Sequence, residues 1–160
     1  MLNHCLDSVF SQSFDNIEHI VVDGGSTDGT LSLLNSRRSS LSAIISEPDN
    51  GIYDAMNKGI ELANGDIIGF LNSDDFYADK DVISKVEKIF KKDLSLDGCY
   101  ADLIYVDKRN INKTVRYFKS SKFQKGFFAK GWCPPHPTFF LRQSVYERFG
   151  KFNLKYRIAS

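Results

Sequence analysis

No apolar run in this 160-residue chain approaches the roughly 18 residues needed to cross a bilayer. Met1-Leu2-Asn3-His4 also lacks the charged-then-apolar layout of a signal peptide. These absences predict a cytoplasmic protein with at most peripheral contact at the inner face of a membrane. Cysteine is scarce: Cys5, Cys99 and Cys133 are odd in number, far apart and never spaced Cys-x-x-Cys. That pattern fits reduced thiols rather than a disulfide framework or a zinc site. Charge of one sign is lacking too, with 21 Lys and Arg against 20 Asp and Glu, so nothing draws the chain as a whole toward nucleic acid. Lys and Arg do become denser after Asp107. There is no internal repeat, low-complexity tract or linker. The 42% hydrophobic content suffices for one domain with a sizeable core.

Leu2, Leu6, Val9 and Phe10 recur at helical spacing, predicting a helix over residues 2 to about 12. Ile17 and Ile20 to Val22 then read as a strand ending on Asp23-Gly24-Gly25, with Ser26 or Thr27 capping the next helix. A strand over Leu41–Ile45 precedes the turn Glu47-Pro48-Asp49-Asn50-Gly51. Ile52, Ala55, Met56, Gly59, Ile60 and Ala63 mark one buried helical face. A strand over 66–71, buried on both faces, runs into Asn72-Ser73-Asp74-Asp75, and Asp79 or Asp81 caps the helix that carries Val82, Val86, Ile89 and Phe90. The alternation predicts an α/β fold with a mostly parallel sheet covered on both faces. Beyond Asp97, Cys99–Val106 and Val115–Phe118 predict an antiparallel edge ribbon. An aromatic loop, a strand over Thr138–Leu141 and a short helix with a Ser144/Glu147 capping box follow.

The chemistry is placed at the end of the strand that reaches Asp74 and Asp75, because ligands of open α/β sheets collect at the carboxyl ends of the strands. Adjacent carboxylates raise one another's pKa, and a divalent cation removes the conflict.

Three blocks carry a family resemblance: His19-Ile20-Val21-Val22-Asp23-Gly24-Gly25-Ser26-Thr27-Asp28-Gly29-Thr30, then Asp49 to Ile60 running on to Asn72-Ser73-Asp74-Asp75, then Pro134-Pro135-His136-Pro137-Thr138-Phe139-Phe140. In order and spacing they resemble the family 2 glycosyltransferases of GT-A fold, of the bacterial cell-surface polysaccharide type. The resemblance implies a Rossmann-like domain that moves a sugar from a nucleotide-diphosphate donor to a hydroxyl of a glycan or lipid-linked acceptor, and it suggests inversion at the anomeric carbon. It implies nucleotide contact at Asp23 and Mg²⁺ or Mn²⁺ on Asp74 and Asp75. Asn72 stands where the family's motif usually has a leading Asp and is left open as a ligand. Gly25, Lys58 and His136 complete the donor-binding candidates, His136 near the metal or diphosphate.

The resemblance also implies a first strand ahead of residue 2 and an acidic base just past Arg157-Ile158-Ala159-Ser160. On that reading the chain is a single partial domain, residues 1–97 the nucleotide-sugar half and 98–160 the start of the acceptor half. Little or no transfer is then expected from it alone. Alternatives stay open at several positions: an Asp54–Lys58 surface ion pair against phosphate contact by Lys58, and helix-dipole placement for Asp28. A non-catalytic nucleotide- or protein-binding remnant is the competing function. An NAD-type oxidoreductase needs its glycine turn after the first strand, whereas Gly24–Gly29 follows the second with an acid at its head.

Overall fold

The computed structural model describes residues 1–156. In chain order the elements are α1 (Leu2–Phe10), β1 (Ile20–Asp23), α2 (Thr30–Ser36), β2 (Ala43–Ser46), α3 (Ile52–Leu62), β3 (Ile67–Gly69), α4 (Val82–Lys92), β4 (Gly98–Cys99), β5 (Leu103–Asp107), β6 (Asn110–Phe118), β7 (Phe140–Arg142) and α5 (Gln143–Phe149). Single 3-10 turns lie at Arg38–Ser40, Phe128–Lys130 and His136–Thr138. The chain sorts into two compact units, one of Phe14–Ile68 with the residues from Arg142 on, the other of Met1–Ser13 with Gly69–Leu141.

In the first of these, β1 and β2 pair in parallel, Ile20 opposite Ala43 through Asp23 opposite Ser46, with α2 as the crossover. Leu34 of α2 is fully buried, and α3 turns Met56 and Ile60 inward. A Cβ on Gly59 would stand 3.8 Å from Val22, so α3 lies close against β1. The segment after α5 is tied to α3 by a reciprocal pair: Asn57 Nδ2 donates to the Phe152 carbonyl and the Phe152 N–H donates to Asn57 Oδ1, both at 2.9 Å. Tyr53 stacks on Phe152 at 5.2 Å.

In the other unit, α1 buries Cys5, Leu6 and Val9. Buried Gln12 joins it to the start of α4: its Nε2 donates to the carbonyls of Ser8 (2.9 Å) and Asp79 (2.8 Å), and its Oε1 accepts from the Ile83 N–H (2.9 Å). β4 pairs antiparallel with β7, Cys99 opposite Phe140. β5 and β6 form the expected antiparallel ribbon with the turn at Lys108-Arg109, but its first arm starts only at Leu103, Cys99 belonging to β4, and its second already starts at Asn110 rather than Val115.

Several local expectations are corrected. The strand predicted over 66–71 is only Ile67–Gly69, and within it only Ile68 is buried. Neither Ser26 nor Thr27 caps α2; Gly29 does, at φ 91°, because the Ser26 hydroxyl is taken by Asp23. The Ser144/Glu147 capping box does not form, since α5 already begins at Gln143 and Ser144 lies inside it. Asp81 is the N-cap residue of α4 but makes no side-chain cap bond; Asp79 instead accepts the Asp81 N–H at 2.8 Å.

Candidate functional site

After β3 the chain turns over Asn72–Asp75, closed by the Asp75 N–H donating to the Asn72 carbonyl at 3.0 Å. Asn72 Nδ2 donates to Asp75 Oδ2 at 2.8 Å, so the side-chain amide is spent on orienting the second carboxylate. Asp74 is exposed and Asp75 half-buried. Burial raises the Asp75 pKa, the Asn72 hydrogen bond lowers it, the Asp74 charge raises it and His136 lowers it; the balance is upward. His136 sits in the 3-10 turn behind Pro134 and Pro135, its ring stacked on Phe70 at 6.0 Å. Burial pulls its pKa down and Asp75 pulls it up, with a net fall that favours the neutral imidazole. The buried Cys5 feels the same pair: its thiol is pushed up to about 11 by burial and then by the charges of Asp75 and Asp74. A thiol so raised is inert at neutral pH.

A carboxylate that is partly desolvated and beside a second one gains from any cation that reaches it. The two hard oxygen donors suit Mg²⁺ or Mn²⁺, and Mg²⁺ in particular is commonly held by one or two carboxylates with the remaining positions filled by substrate phosphates and water. Among the described residues no group of three His, Cys, Asp or Glu side chains could hold a metal. Two carboxylates would leave the remaining positions of such a cation to water or to ligand oxygens.

The other unit holds Asp23, Gly25 and Lys58. Asp23 is buried at the end of β1. Its Oδ2 accepts from the Ser46 hydroxyl (2.6 Å) and the Ser26 N–H (3.0 Å), and its Oδ1 from the Ser26 hydroxyl. Burial works to raise its pKa, but these bonds outweigh burial and hold the carboxyl below its usual value. Gly25 adopts φ 84° and packs on the Pro48 backbone, while a Cβ on Gly24 would overlap the Asp49 carboxylate. Lys58 Nζ lies 2.8 Å from Glu47 Oε1, 3.1 Å from the Pro48 carbonyl and 3.8 Å from Asp54 Oδ2. Asp54 itself accepts the Asn50 N–H at 2.9 Å. The ion pair foreseen at Asp54 is thus present but secondary to Glu47. Asp28 accepts the Thr30 N–H at 3.1 Å, ahead of α2 and at its positive end.

Of the residues singled out in the sequence, Asn72, Asp74 and Asp75 share one turn, with His136 of the same unit near enough to act on Asp75, while Asp23, Gly25 and Lys58 lie in the other unit. Sequence reasoning missed Ser46, Glu47, Asp49 and Cys5. Ser46 was legible in principle: a parallel partner of β1 places it opposite Asp23. The base expected past Ser160, and the residues leading to it, lie outside the described residues.

The chain is thus an α/β domain with a carboxylate pair on the turn after β3 and a buried Asp at the end of parallel strand β1. Comparison with known proteins narrows that class. Residues 1–150 match the family model for glycosyl transferase family 2. Glycosyltransferases described as acting in PGL/p-HBAD biosynthesis in Mycobacterium bovis and Mycobacterium tuberculosis are 33% identical over 163 residues, covering 100% of this chain and 61% of theirs. Among solved structures, S. aureus TarS 1–349 in complex with UDP superposes with TM-score 0.77 at 19% identity, over 99% of this chain and 48% of that one. The mannosyltransferase PcManGT of Pyrobaculum calidifontis, in complex with GDP-Man and Mn²⁺, gives TM-score 0.70 at 19% identity, over 96% and 44%. The chain belongs to glycosyl transferase family 2, and its fold is GT-A. It spans about three-fifths of the length of the mycobacterial relatives.

Proposed function

We propose that this chain carries the donor side of a glycosyltransferase that moves a sugar from a nucleotide diphosphate to the hydroxyl of a glycan or lipid-linked acceptor. The product is cell-surface polysaccharide or a related glycan, and the anomeric configuration is inverted. The reading rests chiefly on the Asp74–Asp75 turn, where a half-buried carboxylate with a raised pKa stands beside a second one. Bound there, Mg²⁺ or Mn²⁺ supplies Lewis acidity to the departing diphosphate. Asp74 and Asp75 hold the cation, Asn72 keeps Asp75 aimed, and neutral His136 borders the same pair. Asp23, held ionised by Ser26 and Ser46, accepts from the nucleotide base. Gly25 lets the backbone approach the ligand, and Lys58 meets the donor phosphates on leaving Glu47. Residues 1–97 supply most of these groups, and the segment from residue 98 on opens the acceptor side with His136 reaching back.

Calorimetric titration of UDP and GDP in Mn²⁺ and in EDTA tests this. Binding should strengthen with Mn²⁺, and Asp74→Ala or Asp75→Ala should remove that gain, on the order of tenfold or more. Asp23→Ala should weaken nucleotide binding with or without metal. Nucleotide affinity that ignores both Mn²⁺ and the Asp74 and Asp75 changes would refute the assignment.

A further inference from the structure

Up to Asp107 the chain has 8 Lys and Arg against 19 Asp and Glu, a net charge of −11; from Lys108 on it has 13 against one, Glu147, a net of +12. Eight of the later cations, Lys108, Arg109, Lys113, Arg116, Lys119, Lys122, Lys125 and Lys130, fall on the β5–β6 ribbon and the loop after it, and all are exposed. None of the eight is in an ion pair with the described residues. Arg116 lies over the Tyr105 ring at 5.6 Å.

Exposed apolar side chains lie on the same ribbon and loop, Tyr105 with Arg116 on one face of the ribbon and Ile104 with Tyr117 on the other. On the ribbon they are Ile104, Tyr105, Val115 (64% exposed) and Tyr117; on the loop they are Phe123 and Phe128 (57%). Trp132 gathers Phe123, Phe127, Phe128 and Tyr100, with ring centroids 5.4 to 6.2 Å away. Ribbon and loop are fastened together: the Ser120 N–H donates to Asp102 Oδ1 at 2.8 Å, and the Tyr100 hydroxyl donates to the Ser121 carbonyl at 2.7 Å.

We infer that the β5–β6 ribbon and its aromatic loop, residues 103–132, form a docking surface for an anionic phospholipid bilayer. Each lysine or arginine near such a surface adds attraction to anionic headgroups, while Trp, Tyr and Phe settle at the headgroup level. Long basic side chains lay their stems along apolar ground and keep their charge in the headgroup layer. A single-stranded nucleic acid would answer to the same cations. It would call for splayed rings with open faces, however, and these rings are tilted or edge-on against one another. The surface lies apart from Asp23, Lys58, Asp74 and Asp75 in sequence and is inferred independently of the transferase reading.

The test is co-flotation of the purified protein with vesicles of phosphatidylcholine alone or mixed with phosphatidylglycerol, at about 0.15 M salt. Trp132 is the sole tryptophan, so its emission reports the loop without a label. Binding should require the anionic lipid, weaken as salt rises, and shift Trp132 emission to the blue. Reversing Lys113, Lys119 and Lys122 to Glu should cut binding on the order of a hundredfold. Reversing Lys88, Lys91 and Lys92 of α4 makes the same change in net charge and should cost far less. Phe123→Ser with Phe128→Ser should lose the blue shift, with circular dichroism checking that the fold persists. Nucleotide binding should survive every one of these changes, which separates this surface from the donor site. Equal binding to neutral vesicles, equal loss in both charge reversals, preferential capture of a single-stranded oligonucleotide, or self-association that accounts for the Trp132 shift would each overturn the inference.

Discussion

Asp75 and Asp23 are two carboxylates that their surroundings push in opposite directions. Asp75 has a raised pKa, so ionising it costs the folded state stability; that stability is present below the unfolded value near 3.8 and is lost as pH rises through the folded value. Asp23 has a lowered pKa, so its contribution is present above the unfolded value and is lost as pH falls through the folded one. A residue kept at a stability cost is a mark of function. Asp75→Asn keeps the shape and an oxygen to accept from Asn72, and it removes the charge. In metal-free buffer at pH 7 it should raise Tm by about 2 °C, a gain that shrinks as pH approaches 4. Thermal scans across that range check it. A loss of Tm at pH 7 would mean that the charge is already compensated without a cation.

Between β3 and β7 the backbone has little room. Gly69 is followed three residues later by Asn72, and a Cβ on Gly69 would overlap the ring of Phe140, which is buried. Gly69→Ala should therefore cost about 1 to 3 kcal/mol by overpacking, whereas Gly65→Ala, whose Cβ would meet its nearest atom at 3.7 Å, should stay within about 0.5 kcal/mol of neutral. Urea unfolding of the two variants makes the comparison. Nothing in the sequence marks Gly69 as the tighter of the two, because its neighbour lies 71 positions away. The same limit explains what sequence could and could not show elsewhere. The helical face of Met56 and Ile60, the ribbon, and the carboxylate turn rest on local spacing and were legible, whereas Ile52, expected on the same buried face, stays exposed at the first turn of α3. Strand lengths and caps were less so: the Ser26 hydroxyl, expected to cap α2, donates to Asp23 instead, a carboxylate that Ser46 also reaches from β2. Lys58 was likewise read with its helical neighbour Asp54, and the turn before α3 gives it Glu47 as a nearer partner.

At the scale of the whole molecule the near-neutral total conceals opposed halves of sequence. A net charge of +1 and an isoelectric point near 7.7 would describe a chain of evenly mixed charges equally well, but here −11 stands before Lys108 and +12 from it on. Near its isoelectric point a protein has little net repulsion to keep copies apart, and with opposite charges gathered separately an acidic region of one copy can meet a basic region of another. Added salt screens that attraction, its reach falling to about 8 Å at 0.15 M. Solubility close to pH 7.7 should therefore rise as salt is raised from about 0.01 M to about 0.15 M, the reverse of what apolar association would give. Static light scattering against salt reads the sign directly. The Lys113, Lys119 and Lys122 reversal should flatten the response by thinning the basic partner, while the α4 reversal, which deepens the acidic side, should leave it steep.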